Sequence, residues 1–210
     1  MRLVALLYAM ALLHPNESIK HDFSKDELNQ APKRFSFSGS RQTSNQQWKC
    51  IQDGDNRVLA RRLVKDKDQS VALAVAENLQ FRDLAIAAKI KSLGGRRDQN
   101  GGLVWRYKDS NNYLLARLDV EDDRVRLYRI VNGNRIRFGE ESDLRLREGK
   151  WYTLRVEHRG DKIKIYLDDE AIIVERDKHF KSAGQAGLYV NEDAETYFDD
   201  FEVRSLGDEN

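Results

Sequence analysis

The stretch GGLVWRYKDSNNYLLARLDVEDDRVRLYRI, residues 101–130, decides the fold. Apolar residues recur at every second position in two runs, which are Leu103, Trp105 and Tyr107, then Leu114, Ala116 and Leu118. This alternation is typical of strands that bury one face. Turn-forming polar residues interrupt it at residues 109–111 and 121–123. The stretch therefore predicts three strands connected by two tight turns.

The same pattern continues along most of the chain. The dipeptides Asp53-Gly54 and Asn132-Gly133 favour tight hairpins. Residues 81–92 would also tolerate a helix, but strand alternation places their larger apolar side chains on one face. The further predicted strands are residues 48–52, 57–60, 70–76, 81–92, 124–131, 135–140, 151–159, 162–167, 170–177, 184–190 and 196–204. About a dozen short strands without a long helix predict an all-β sandwich or barrel.

Composition restricts the class of partner. The chain has 210 residues and a formal net charge of +1, with 36 basic and 35 acidic residues. It is long enough for one substantial core, and its balanced charge produces no field that would attract nucleic acid. The sequence predicts a single domain with no nucleic-acid partner.

The N-terminus has the features of an export signal. One positive charge precedes the apolar run of residues 3–13, and a polar segment ends it. The run is shorter than the roughly 20 residues that a spanning helix needs. We predict a signal peptide over residues 1–20, a secreted or periplasmic protein, and no membrane insertion after processing. The alternative is an N-terminal helix or strand that packs on the domain.

A polar arm and loop, residues 21–47, precede the main domain of residues 48–206. We expect the arm to dock Phe23, Phe35 and Phe37 on the body. Its segment SKDE, residues 24–27, has the spacing of a capping box for one helical turn. Cys50 is the only cysteine. It therefore predicts a buried inert thiol and no internal disulfide.

Three segments of the chain carry a family resemblance. They are the opening stretch, EGKWYTLRVEHRGDKIKIYLDDE at residues 148–170, and GQAGLYVNEDAETYFDDFEV at residues 184–203. Together they resemble the concanavalin A-like lectin/glucanase superfamily, in particular its laminin-G-like members and the 3-keto-disaccharide hydrolase-like family. The resemblance implies a jelly roll of two curved antiparallel sheets with its ligand site on the concave sheet or rim loops. It implies no single activity, because this fold carries lectins, hydrolases and adhesion modules.

The strands also present polar and aromatic side chains away from the core. If Leu114 and Ala116 face inward, Tyr113 and Arg117 face outward, and the same alternation applies to the other strands. Aromatic faces stack on sugar rings, and Arg and Glu hydrogen-bond their hydroxyls. The residues assigned to ligand binding are Arg106, Tyr113, Arg117, Arg126, Tyr128, Arg155 and Glu157. The alternative is a solvated face with cross-strand ion pairs.

We therefore predict an exported, non-catalytic carbohydrate-binding or adhesion module with a glycan or polysaccharide partner. The glucanase branch of the resembled superfamily carries an E-x-D-x-x-E strand, and this chain lacks it. The alternative is a glycoside-cleaving enzyme of the 3-keto-disaccharide hydrolase kind, with Asp119, Glu157 and His158 converging from separate strands. His158 shares a strand face with Leu154 and Val156, which favours a core histidine over a general base.

The resemblance also implies a structural calcium site. The motif FDD near the C-terminus, with Asp199 and Asp200, is similar to the last strand of relatives that bind Ca²⁺ between their first and last strands. Carboxylate oxygens suit this ion. Asp22 in the arm is a further candidate ligand.

Overall fold

The computed structural model describes residues 18–39, 48–61, 71–78, 80–95, 98–191 and 194–207. These residues form strands and turns without an α-helix. None of the described segments therefore supplies a helix long and apolar enough for a bilayer. The strands are β1 Ser18–His21, β2 Phe35–Gly39, β3 Trp48–Asp53, β4 Asn56–Arg61, β5 Val71–Ala76, β6 Leu84–Gly94, β7 Asn100–Asp109, β8 Asn112–Asp119, β9 Arg124–Val131, β10 Asn134–Ser142, β11 Trp151–Arg159, β12 Lys162–Leu167, β13 Glu170–Arg176, β14 Gln185–Asn191 and β15 Glu195–Ser205.

The described strands make two antiparallel sheets. Sheet A has the order β13-β12-β11-β6-β15-β4-β3, and β1 also pairs with β15. Sheet B has the order β10-β9-β8-β7-β14-β5-β2. Neighbours such as β6 with β15 and β7 with β14 are distant in sequence, so connections cross between the sheets. The prediction of an all-β jelly-roll sandwich of two antiparallel sheets is confirmed.

The core lies between the two sheets and follows the predicted alternation. Leu114 and Ala116 of β8 are fully buried in one apolar cluster, which also contains Leu127 of sheet B and Leu154 and Val156 of sheet A. Burying one such side chain stabilises a fold by about 1.5 to 3 kcal/mol. Residues 84–92 belong to β6 and not to a helix, because both neighbouring strands of β6 require its extended backbone for their hydrogen bonds. Residues 81–83 of the predicted strand precede β6.

One polar pair joins the sheets inside this core. Trp105 of β7 donates from Nε1 to Nδ1 of His158 in β11 at 2.9 Å, and both residues are fully buried. Burial lowers the pKa of His158 to about 3, and the nearby Arg106 charge contributes. His158 is therefore neutral at physiological pH, which confirms the interpretation of a core histidine.

The end of the predicted signal peptide and the predicted arm each supply a strand: β1 begins at Ser18, before the predicted start of the arm at residue 21, and β2 lies within the arm. Strand β1 pairs with β15 and strand β2 pairs with β5. Phe23 and Phe35 are buried, and Phe37 packs partly buried against the core. Most of the predicted signal peptide, residues 1–17, lies outside the described residues.

Two local predictions about this part of the chain have different outcomes. The predicted helical turn at residues 24–27 is wrong, because both the amide and the hydroxyl of Ser24 donate to Oδ1 of Asp22 and stabilise a turn. Cys50 is a buried free thiol. Burial raises its pKa to about 12, so it is chemically inert.

Glycines in sheet B permit unusually close strand contacts. A Cβ atom at Gly187 of β14 would collide with the carbonyl oxygen of Ala74 and would lie 2.8 Å from Cα of Val75. A Cβ at Gly102 of β7 would lie 2.5 Å from the carbonyl oxygen of Ala116. These are backbone atoms, so a side chain at either glycine would displace a neighbouring strand.

Replacing Gly187 tests this constraint. We expect Gly187→Ala to destabilise the protein by about 1 to 3 kcal/mol, because the added methyl group overpacks the contact with β5. Urea unfolding measures the change. Gly54→Asn is the matched control, since Gly54 has open space around it and a φ of 61°, which Asn tolerates. Equal stability of both variants and the wild type would contradict the constraint.

The His158 pKa predicts a pH-dependent stability. The pKa of His158 is about 3 in the folded protein, below its unfolded value. The contribution of neutral His158 to the free energy of unfolding is therefore complete above the unfolded pKa and is lost as the pH falls toward 3. The loss reaches about 3 kcal/mol near pH 4, at about 1.4 kcal/mol per pH unit.

The variant His158→Gln isolates this contribution, because it keeps an acceptor for Trp105 and removes the titration. We expect the free energy of unfolding, measured in urea between about pH 8 and pH 4, to fall less steeply in the variant than in the wild type. Parallel pH profiles would show that the histidine does not titrate on unfolding.

Candidate functional site

The outer face of sheet B carries a second apolar cluster, opposite the core. Its members occupy the alternate positions that point away from sheet A, yet they are nearly as buried as the core. They are Leu73, Val75, Val104, Tyr113, Leu115, Tyr128, Ile130 and Tyr189. A buried aromatic surface on the outside of a sheet is uncommon for a face that only contacts solvent, so this face is the first candidate for a binding site.

A cavity of about 260 Å³ lies on this face. Tyr113 and Tyr189 provide aromatic walls, while Arg135 and Asn111 provide hydrogen-bonding groups. The other described lining residues are Gly39, Val71, Ser110, Leu115, Ile130 and Gly133. The cavity is close to the lower end of the roughly 300 to 1,000 Å³ typical of small-ligand sites. Its size suits one or a few small rings.

The aromatic side chains of the cavity are held by neighbours. The ring centroids of Tyr107 and Tyr113 are 6.0 Å apart, and the Tyr107 hydroxyl lies 3.0 Å from the Ser38 hydroxyl. The guanidinium of Arg135 lies 5.2 Å from the centroid of the Tyr128 ring. Such contacts preorganise the wall before a ligand arrives.

The tyrosine hydroxyls stay protonated. Burial raises the pKa of Tyr113 far above its usual range, and the nearby tyrosines add to the shift. Burial also raises the pKa of Tyr189 to about 12. Each hydroxyl can therefore both donate and accept a hydrogen bond at neutral pH.

A network of buried ion pairs adjoins the aromatic cluster on the same face. Asp119 accepts from Arg117 at 2.6 Å and from Arg126 at 2.7 Å, and its side chain is 3% exposed. Arg117 also pairs with Asp98, which accepts a hydrogen bond from Asn191 at 3.3 Å. These paired charges hold the strands in register and present oriented donors and acceptors beside the tyrosines.

The network continues toward solvent. Arg126 donates to Asp122 at 2.6 Å and to Glu140 at 3.1 Å, and Glu140 also accepts from Arg137 at 2.5 Å. Burial raises the pKa of Asp119 to about 6, although the charges of its arginine partners oppose this shift. The charge of Asp119, at the inner end of the network, therefore changes at mildly acidic pH.

Four of the seven predicted ligand-binding residues share this face. Tyr113 and Arg117 lie on β8, and Arg126 and Tyr128 lie on the adjacent β9. Their outward orientation agrees with the strand alternation. Whether they contact a ligand stays a prediction.

Arg155 and Glu157 lie elsewhere, so the expectation that all seven residues form one surface is wrong. Both are on β11, which pairs with β6 and β12 in sheet A. There the Arg155 guanidinium stacks 3.6 Å from the centroid of the Tyr166 ring. The Tyr166 hydroxyl donates to Glu157 at 3.1 Å. Alternation along β11 assigned the correct face but carried no information about which sheet the strand joins.

Arg106 is also misplaced by the sequence prediction. Its φ of 46° lies at an irregularity of β7, and its side chain is 1% exposed. The guanidinium donates to the carbonyl oxygens of Arg82, Gly160 and Phe180. Arg106 therefore anchors three connecting segments and does not belong to the ligand face.

The three residues considered for a converging catalytic site do not meet. Asp119 lies on the outer face of sheet B, Glu157 on the outer face of sheet A, and His158 in the core between them. The interpretation that they converge is wrong, because neighbouring residues of one strand point to opposite faces and the strands belong to different sheets.

Asp199 and Asp200 lie on β15 and are engaged by protein donors. Asp199 accepts from Asn56 at 2.7 Å and from the Asp200 amide at 2.8 Å, while Asp200 pairs with Lys89 at 2.7 Å. Among the described residues no cluster of three or more His, Cys, Asp or Glu side chains could hold a metal ion. As placed, these oxygens do not fit Ca²⁺. Calcium binding stays a prediction, which thermal unfolding with and without added Ca²⁺ would test.

Sequence reasoning overlooked Tyr189 and Arg135, two residues of the cavity wall. A signal for Tyr189 was present, because Ala186, Leu188 and Val190 alternate with it along β14. Arg135 follows a hairpin turn on an edge strand, where its guanidinium was not distinguishable from any other exposed charge.

Comparison with known proteins agrees with this architecture. Carbohydrate-binding module CBM66 from Bacillus subtilis is 25% identical with a TM-score of 0.61, and the match covers 79% of this chain and 94% of that module. A Bacteroides ovatus GH16 enzyme of a mixed-linkage glucan locus has a TM-score of 0.62 at 11% identity, covering 89% and 98%. This chain is a member of the concanavalin A-like superfamily.

Part of the chain is also similar in sequence to a curated protein. The levanase of Bacillus subtilis strain 168 is 38% identical over 91 residues, which are 43% of this chain and 13% of the enzyme. This chain therefore matches only a small part of that enzyme's length. No family model matches the chain.

Proposed function

We propose that this chain is an exported, non-catalytic carbohydrate-binding module whose ligand binds the outer face of sheet B. The observation that carries the proposal is the cavity of about 260 Å³ with walls of Tyr113 and Tyr189 and the Arg135 guanidinium at its edge. Tyrosine rings stack on the apolar faces of sugars, and the guanidinium hydrogen-bonds sugar hydroxyls.

The ligand class that we propose is levan, a fructose polysaccharide. The 38% identity to part of a levanase supports levan as the ligand. The 25% identity to CBM66 supports carbohydrate binding in general. Carbohydrate binding also agrees with the fold. The levanase match covers 13% of that enzyme, so the proposal transfers recognition of levan and not its cleavage.

Binding without cleavage is supported by the absence of acids in the cavity. Glycoside hydrolysis uses two carboxyl groups about 5 to 10 Å apart across the bond. The described lining residues of the cavity include no Asp or Glu. The nearest acids of the network, Asp98 and Asp119, are both paired with Arg117. The export part of the proposal rests on the apolar run at residues 3–13.

Calorimetric titration with levan tests the proposal, with inulin and mixed-linkage β-glucan as comparison polysaccharides. We expect the wild type to bind levan and Arg135→Ala to bind it at least about tenfold more weakly, a loss of about 1.4 kcal/mol. The cause is the lost guanidinium donor at the cavity edge. Arg135 is exposed, so thermal unfolding should be nearly unchanged.

Arg155→Ala is the matched control, because Arg155 also stacks on a tyrosine but lies on sheet A. We expect its levan affinity to equal that of the wild type. Absence of binding to levan, or equal affinity of wild type and Arg135→Ala, would refute the proposal. Release of sugar products from levan would replace it with the hydrolase alternative.

A further inference from the structure

A second and larger cavity lies on sheet A, where the arm crosses the last strand. It has a volume of about 830 Å³. Its described lining residues are Lys20, His21, Asp22, Lys25, Asp26, Arg34, Asp200, Phe201 and Glu202. It runs along β1 and β15, whereas the first cavity lies on the outer face of sheet B. We call it the seam groove.

Each carboxylate of the seam groove is held through one oxygen. Asp22 accepts from Ser24, Asp26 from His21 at 2.6 Å, Asp200 from Lys89 at 2.7 Å, and Glu202 from Lys20 at 3.2 Å. The other carboxylate oxygen of each of these four side chains has no partner among the described residues. The groove therefore presents four carboxylates, each with one oxygen able to accept a further hydrogen bond.

Two cations of the seam groove have no ion-pair partner in the described part of the chain. Lys25 and Arg34 are exposed, and the carboxylates around them are engaged by other groups. The side chains of Lys25 and Arg34 can therefore donate hydrogen bonds to a ligand in the groove.

The floor of the groove is rigid. The His21 ring packs against Phe23 with centroids 4.7 Å apart and against Phe35 at 5.5 Å. Phe35 contacts Phe201 of β15 at 5.5 Å. This aromatic stack packs the arm against the sandwich beneath the groove.

We propose that the seam groove is a second glycan-binding site, an inference that rests on the proposed function. A sugar hydroxyl both donates and accepts, so it satisfies a spare carboxylate oxygen and a Lys25 or Arg34 donor together. An anion would meet four carboxylates, and a simple cation would meet two unpaired positive charges. A neutral polyhydroxylated ligand fits the mixed lining best.

The two sites have different consequences for short and long ligands. Because they lie on different sheets, a short oligosaccharide occupies each site separately. A long polysaccharide engages both, and the second contact is then intramolecular, which increases the apparent affinity without a new contact at the first site. The seam groove would therefore make the protein prefer polymer over oligosaccharide.

Nuclear magnetic resonance titration of the full chain with a short levan oligosaccharide tests the second site directly. We expect backbone amide shifts around Tyr113 and Arg135 and, separately, around Arg34 and Glu202. The double variant Lys25→Ala/Arg34→Ala should lose only the second set. Its affinity for polymeric levan should fall about tenfold or more, through loss of avidity.

Lys33→Ala is the control, because Lys33 is an exposed cation of the same arm that faces Glu27 at 3.9 Å and does not line the groove. It should behave as the wild type in both measurements. Shifts confined to the first cavity, with unchanged polymer affinity in the double variant, would refute the seam groove and leave the proposed function intact. Absence of all levan binding by the wild type would refute both.

Discussion

The hydrogen bond from Trp105 to His158 is the constraint on which the sandwich depends. Two sheets that pack face to face must present apolar inner faces, and a polar side chain between them needs a partner. Trp105 belongs to sheet B and His158 to sheet A, so the Nδ1 of His158 satisfies the indole N–H of Trp105 across the core. This contact joins β7 to β11, and a second buried hydrogen bond, from Thr196 of β15 to the carbonyl oxygen of Asn100 in β7, also joins the two sheets. The neutral imidazole makes the contact with Trp105 possible, because a charged ring would be costly at this depth.

The ligand face is a consequence of the same packing. Once Leu114 and Ala116 are committed to the core, the intervening residues of β8 must point outward, and the strand carries Tyr113 and Arg117 to the outer face. Because β14 pairs with β7 and β7 with β8, the β14 residue Tyr189 also lines the cavity. The cavity is thus built from residues that the strand pleat directs to the outer face of sheet B, together with Ser110, Asn111 and Gly133 of two hairpin turns.

The ion pairs of the described residues form local clusters. The buried network around Asp119 consists of arginines and acids in direct contact and joins β8 to β9 beside the tyrosine cavity. The seam groove differs, because its carboxylates keep one free oxygen each while Lys25 and Arg34 lack partners. In our proposal the aromatic cavity and the polar groove bind the same class of polyhydroxylated molecule through different forces, namely stacking in one and hydrogen bonding in the other.

The sequence by itself determined the strands, their inward faces and the class of fold. Period-two alternation is a local property, so the bounds of β9, β11 and β12 and the core position of Leu114 were predictable from it. Only the tertiary structure decided which strands share a sheet, because pairing joins segments far apart in the chain. For that reason it separated Arg155 from Tyr113 and brought Tyr189 to the cavity. It also turned Arg106 into the interior, where an irregularity of β7 overrides the alternation.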